Sequence, residues 1–402
     1  MILATAFVAL LALTDVHASW EEWWTYDGIS DLLDVAPFNG FGQSFHKVLN
    51  NRTEGNVVAS SLSCMMALGM IYLGSKDLTR SVMSKALQVP EDQFEAASKF
   101  QAMSTVLEGI KGVELALGNK AFVSESTKIL PEYLTVLNQS FNASPESINF
   151  LNKNSSSIVN GWVKNITRGK INNLFKDDDF SPYTKLALIN AIYFKGQWKS
   201  RFEPGKTVKA PFYARPDYSV RVPMMHQNGS FLHADLEDYN AQVIVLPYEG
   251  KDVSMVVVLP NAKDGLKALE QKLDRLKLKD VLKMTTPTSV DLFLPKFKFE
   301  TFIDLKQQLR TMGLRNIFSW TTADFSGITK SEKLRVSKIV QKAIIEVNEE
   351  GTVASVATGA LIPNRFGQQS VTLRCDHPFL FFLTYNGSFS LFEGRVANPK
   401  RK

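Results

Sequence analysis

Glu349-Glu350-Gly351-Thr352-Val353-Ala354-Ser355-Val356-Ala357-Thr358-Gly359-Ala360-Leu361-Ile362-Pro363-Asn364-Arg365-Phe366-Gly367 lies between two strand-like runs, Ala343-Ile344-Ile345-Glu346-Val347 and Ser370-Val371-Thr372-Leu373. Its position makes it a long surface loop, and a connection of that length in a compact chain is functional or disordered. The residues argue for function. From Thr352 to Ile362 there is neither charge nor proline, and Thr352, Ala354, Val356, Thr358, Ala360 and Ile362 are all small or apolar. Strand side chains alternate faces with a period of two, so this set would pack on a core if the segment became a strand. A solvated loop has no need of that pattern.

The rest of the chain is that of an ordinary globular protein. Of 402 residues, 45% are hydrophobic and 21% charged, enough for an ample core. Lys and Arg exceed Asp and Glu by 46 to 40, a surplus of +6 spread along the chain. That balance does not suggest nucleic-acid binding and leaves room only for a local anionic-polysaccharide site. Ile2 to Leu13 is apolar but shorter than the ~20 residues a membrane helix needs. Val16-His17-Ala18 follows with small residues where a signal peptidase reads, so residues 1–18 are expected to be a cleaved secretory signal and the protein extracellular, with no membrane span. Seven Asn-x-Ser/Thr acceptors support secretion: Asn51, Asn138, Asn142, Asn154, Asn165, Asn228 and Asn386. Cys64 and Cys375 form no disulfide framework and are expected to be free thiols, Cys64 as a small core residue in a helical run. Residues 19–36 form an acidic, aromatic extension in which Trp20, Trp23 and Trp24 alternate with Glu21, Glu22 and Asp27. The reading is a frayed end or a docking tail, for a partner or for a basic patch on the protein itself.

Catalytic inventory is thin. The five histidines, His17, His46, His226, His233 and His377, enter no His-Glu-x-x-His motif, and there is no Gly-x-Ser-x-Gly elbow or Gly-rich phosphate loop. No metal site is expected, His377 reads as a surface or strand-end residue, and the protein is not expected to be an enzyme.

The long loop resembles the hinge and reactive-centre loop of a serpin, a serine-protease inhibitor. Inhibitory members typically read Glu-Glu-Gly-Thr followed by small residues, matched here by Glu349, Glu350, Gly351 and Thr352 and then Ala354, Ser355 and Ala357. In that family the scissile bond usually follows the seventeenth residue from the first hinge glutamate. Counting from Glu349 gives Arg365, so the resemblance implies a reactive bond at Arg365-Phe366 flanked by Asn364 and Gly367. Similar matches are Ile158 to Leu174, Leu186 to Trp198, Phe293 to Glu300, Ala323 to Ile328, Asp376 to Phe382 and Phe392 to Pro399. Together they run in order from about Phe38 to Pro399.

The fold implied is α+β: a mixed central β-sheet, two further sheets, about eight to nine helices and an exposed reactive-centre loop at about 349–370, in a single domain over 37–402. Helices are expected from Phe38 to Leu49, from Cys64 to Leu73 and within Glu91 to Lys111, with a strand along Leu186 to Trp198. The resemblance places a sheet-opening region at Ser60, Ser63, Asn190 and Gln341. Two departures fall there: Ser61 stands where a proline is common, and Gln341 where a histidine is common. Heparin or another sulfated glycan is the only cofactor left open. Lys99 and Lys111 make a weak basic stripe among acids, and the denser run Lys267, Lys272, Arg275, Lys277, Lys279 and Lys283 reads as a solvated face.

The mechanism implied is kinetic. Arg365 enters the primary pocket of a trypsin-like protease, whose buried acid favours a basic side chain. The protease serine forms an acyl-enzyme as the bond parts, and the freed loop inserts into the central sheet from Thr352 onward before deacylation. About a dozen new ladder bonds at ~0.5–1.5 kcal/mol each, with apolar burial at ~25 cal/mol per Å², release on the order of 10 kcal/mol. That rivals the ~5–15 kcal/mol stability of a domain. Asn364-Arg365-Phe366-Gly367 also resembles the activation site of arthropod prophenoloxidases. The expectation is therefore a monomeric insect haemolymph serpin forming covalent 1:1 complexes with clip-domain, trypsin-like proteases of the melanisation and Toll cascades. A salivary anticoagulant serpin and a non-inhibitory carrier are the alternatives.

Overall fold

Leu186–Gly196 is apolar almost without a break, and the fold gives the reason. The structure is a computed structural model that describes residues 34–350 and 370–400, apart from 153, 177, 251 and 274. In it this strand is covered on both faces: Leu186, Leu188, Ile192 and Phe194 pack into the main core, while Ala187, Ile189, Ala191 and Tyr193 pack into a second cluster. A strand with two buried faces has no polar positions to alternate with.

In chain order the described helices are α1 (Ala36–Asn50), α2 (Ser61–Tyr72), α3 (Asp77–Leu87), α4 (Gln93–Gly109), α5 (Pro131–Phe141), α6 (Ser155–Ile166), α7 (Leu266–Gln271), α8 (Leu278–Lys283) and α9 (Lys306–Thr311). The strands are β1 (Val57–Ala59), β2 (Val113–Ser124), β3 (Glu146–Ile148), β4 (Leu186–Gly196), β5 (Val208–Arg215), β6 (Tyr218–Leu236), β7 (Ala241–Pro247), β8 (Val253–Pro260), β9 (Thr286–Pro295), β10 (Phe297–Asp304), β11 (Lys338–Val347), β12 (Val371–Arg374), β13 (Phe379–Tyr385) and β14 (Phe389–Val396).

Five strands make the central sheet in the order β10-β11-β4-β2-β3. β10 with β11 and β2 with β4 are antiparallel. β11 and β4 are parallel, in register from Lys338↔Ala187 to Ile345↔Phe194. The remaining strands form one path, β1-β14-β13-β8-β7-β6-β9-β12, with β5 on β6. The two further sheets expected are thus continuous, joined through the 19-residue β6.

Helices cover both faces of the central sheet. α1 presents Phe38, Phe41, Phe45 and Leu49 at helical spacing to the core. α2, buried along its whole length, packs against β2, β4 and β14. Its start is capped by Ser60, whose Oγ accepts the Ser63 N–H at 3.0 Å. On the opposite face α6 packs on β2, places Val159 and Val163 in the second cluster and sets Trp162 edge-on to Phe122 at 5.9 Å. Gly118 permits that approach, because a Cβ there would stand 2.9 Å from Ile166. Cys64 and Cys375 are free and buried. Of the two readings of His377 the structure takes the strand-end one: it stands just before β13 and is buried rather than on the surface, with Nε2 2.7 Å from the Pro260 carbonyl.

Candidate functional site

β11 leads directly into the hinge, and the first hinge residues are clamped. Trp198, stacked on Tyr248 at 4.3 Å, donates its indole N–H to the Asn348 carbonyl at 2.8 Å, and the Phe202 N–H donates to the Glu349 carbonyl at 3.0 Å. The Glu349 carboxylate accepts from Thr207 Oγ1 at 2.8 Å and pairs with Lys296 Nζ at 2.6 Å. Burial alone would push this carboxyl up, but Lys296, a backbone N–H and Thr207 together outweigh it and hold the group below its ordinary 4.5. Glu350 is exposed, its N–H donating to Asn348 Oδ1 at 3.2 Å. Gly351, Thr352 and Ala354, and the bait residues Asn364, Arg365, Phe366 and Gly367, lie outside the described residues.

Lys296→Ala strips the counter-ion from a carboxylate whose side chain is only 10% exposed, while the lysine itself is 37% exposed and partly screened. The expected cost is about 1 kcal/mol at neutral pH. Because the Glu349 pKa is depressed, this stability is present above 4.5 and is lost as pH falls through the folded value. Urea unfolding should therefore show the variant and wild type converging toward acid; a gap independent of pH would dissociate the pair from hinge stability.

The four residues assigned to sheet opening come together beneath the parallel contact. Asn119 on β2, Asn190 on β4 and Gln341 on β11 stand in one cross-strand row. Gln341 is fully buried and exchanges two bonds with the Ser60 backbone: its Oε1 accepts the N–H and its Nε2 donates to the carbonyl, both at 2.9 Å. Ser63 Oγ donates to Asn119 Oδ1 at 3.3 Å, and Asn190 Nδ2 donates to both Ser63 Oγ and Asn119 Oδ1. A polar row thus crosses an otherwise apolar interior at the junction of β11 and β4, tying it to the start of α2.

Both departures from the family pattern have partners. The side-chain amide of Gln341 sets donor and acceptor side by side on one carbon, the geometry a peptide unit needs for mutual exchange. Ser61 donates its backbone N–H to Glu393 Oε1 at 2.7 Å, a bond no proline can make. Glu393 is 2% exposed and also accepts from Ser390 Oγ at 3.2 Å; no basic side chain pairs with it among the described residues. Burial, only partly offset by Ser61 and Ser390, pushes its carboxyl up to about 7.

A raised carboxyl keeps its proton in the folded state after the unfolded chain has lost it, so stability falls as pH rises from the ordinary 4.5 to about 7. Glu393→Gln cannot ionise. It should match wild type near pH 4 and exceed it by ~3 kcal/mol at pH 8 in urea titrations. A wild type no more sensitive to pH than the variant would show that burial leaves the Glu393 carboxyl at its unfolded pKa.

Lys296, Thr207, Asn119 and Glu393 were not singled out from sequence. Glu393 alone carried a local signal, as an acid set within the apolar Phe389–Val396 strand. Among the acceptors, Asn51, Asn138, Asn142, Asn154, Asn165 and Asn228 are exposed and Asn386 is half-buried. Of the weak basic stripe, Lys99 pairs with Asp34 at 2.9 Å. The denser run falls on and between α7 and α8, where Lys272 donates to the Asp238 carbonyl. No described helix is long and apolar enough to cross a membrane.

Comparison with known proteins agrees with this geometry. The family profile described as Serpin (serine protease inhibitor) matches residues 38–399. Human Serpin B4 is 41% identical over 368 residues, covering 86% of this chain and 94% of that protein. Antichymotrypsin-2 of Bombyx mori is 35% identical over 375 residues, covering 92% and 99%. Among solved structures, Serpin48 of the insect Tenebrio molitor, described as highly specific, superposes with a TM-score of 0.80 at 29% identity, covering 95% of this chain and 99% of that one.

Proposed function

The chain belongs to the serpin family of protease inhibitors and is not an enzyme, and on that premise we propose that it is secreted after loss of residues 1–18 and traps trypsin-like serine proteases through cleavage at Arg365-Phe366. The observation that carries the reading is the parallel contact between β11 and β4. A chain that turns back after Val347 and enters between those strands runs antiparallel to both, exchanging one parallel ladder for two antiparallel ones, the slightly more stable pairing. Nothing else need be built, because the strand that must be displaced and the strand that leads into the bait are the same one.

Asn190 and Gln341 face each other at the fourth of the eight paired positions, so the contact has to part across the polar row. The Gln341–Ser60 exchange holds β11 in place until insertion supplies more than it costs to break. The targets this reading favours are clip-domain proteases of insect melanisation and Toll signalling, because the bait reads Asn364-Arg365-Phe366-Gly367 and a silkworm and a mealworm serpin stand among the relatives. Inhibition by covalent 1:1 complex is tested with trypsin. An SDS-stable band at the summed mass of the two proteins is expected; cleavage at Arg365 without that band would identify a substrate or carrier instead. Faster inhibition of thrombin or factor Xa than of a prophenoloxidase-activating protease would assign the protein to clotting.

A further inference from the structure

A cavity of about 400 Å³ runs along α1, in the size range that takes a small organic group. One face of the helix forms its wall, from Ala36 through Asn39 and Gln43 to His46, a length of ~15 Å at the helical rise. Leu276 and Phe382 supply apolar surface opposite, and Glu393 lies at its inner end. His46 is 4% exposed, and among the described residues its Nε2 has no hydrogen-bond partner, which is rare for a buried polar atom. Lys277, Lys279 and Asp280, all exposed, stand at the rim. The cavity is therefore apolar in its walls, polar at its inner end and at its mouth carries two lysines against one aspartate.

The described chain begins at that mouth. Asp34 Oδ1 accepts the Ala36 N–H at 3.1 Å and Oδ2 pairs with Lys99, which fixes where the preceding residues join α1. Those residues, 19–33, carry Trp20, Trp23 and Trp24, contain Glu21, Glu22, Asp27 and Asp31, and have no Lys or Arg. At up to ~3.3 Å per residue they are long enough to reach the inner end. An indole brings an apolar body and one N–H donor, which suits apolar walls with acceptors at their end. The acids suit the lysines at the rim.

We propose that residues 19–33 turn back along α1 and seat a tryptophan in this cavity, so that the acidic, aromatic extension is a plug built into the chain. The seat adjoins the sheet-opening row, because the Ser61 that Glu393 holds follows the Ser60 that Gln341 holds.

The test uses the full chain and Nile red, an uncharged dye that brightens in apolar surroundings. Wild type should bind little dye. Trp20→Ala with Trp23→Ala and Trp24→Ala, or Lys277→Glu with Lys279→Glu, should each raise emission about tenfold, equivalent to ~1.4 kcal/mol of lost closure. A synthetic peptide of residues 19–33 should reverse the rise in the tryptophan variant. Wild type as bright as both variants would mean an open cavity that takes small apolar molecules, and would overturn the proposal. If none brightens, acrylamide quenching decides, using the emission lost in the tryptophan variant. Protection relative to the free peptide that disappears in the lysine variant supports the plug; quenching equal to that of the peptide defeats it.

Discussion

Thr352→Arg is expected to turn the protein from a trap into a substrate: trypsin should still cut at Arg365, while the yield of SDS-stable complex falls about a hundredfold. The reason lies in what an added strand would touch. β4 has both faces buried, and β11 buries the face that carries Ile339, Gln341, Ala343, Ile345 and Val347 while its other face carries the half-buried Lys338, Lys342 and Glu346, so a strand between them has one face wholly against the main core. Thr352 belongs to the set of small or apolar residues that would face that interior at the front of the insertion. A guanidinium there has to be taken out of water with no acid to meet it, at a cost of several kcal/mol. Because trapping is a race against deacylation, ~3 kcal/mol on the insertion barrier is about two powers of ten in partition. An unchanged yield of complex would mean that the loop does not enter the sheet front-first.

The second large effect is a rise in thermal stability of on the order of 20 °C when Arg365-Phe366 is cleaved by a catalytic amount of trypsin. Proteolysis ordinarily leaves stability unchanged or lowers it. On the proposed reading the cut severs the covalent link between the hinge and β12 and leaves the segment from Thr352 to Arg365 free to enter the sheet. The segment can then gain ladder bonds to β4 and β11 together with burial of the face that meets the main core, on the order of 10 kcal/mol in all. Differential scanning calorimetry before and after cleavage reads the shift directly. A nicked protein that melts with the intact one would leave the inhibitory reading without its energy source, and Thr352→Arg should reduce the shift if both effects share one cause.

Much of the fold was legible in the sequence because its signals are local. The Phe38, Phe41, Phe45 and Leu49 spacing marks α1, and the helix extends only two residues before Phe38 and one beyond Leu49. The unbroken apolar run from Leu186 marks a doubly covered strand, and its observed end at Gly196 comes two residues before the Trp198 expected. The expected helix start at Cys64 was late, since α2 begins at Ser61. Serine there reads as part of the cap, whereas in the structure Ser60 is the cap and Ser61 already sits in the first turn, its N–H taken by Glu393.

The candidate site divides along the same line. By itself the sequence carries the proposed bait, with its uncharged alternating run and its arginine, because composition and a period of two need only neighbours along the chain. It also carried the family resemblance, which places the hinge and the sheet-opening residues by order alone. What holds those residues was decided by tertiary structure. Glu349 meets Lys296 and Thr207, Gln341 meets Ser60, and Glu393 meets Ser61, each across a long stretch of chain. A carboxylate or an amide has no intrinsic partner at such separations. Only the pairing of β10 with β11, which sets Lys296 near Glu349, that of β1 with β14, which sets Ser61 near Glu393, and the seating of the start of α2 on Gln341 bring a donor within 3 Å of an acceptor and remove the water that would otherwise satisfy them.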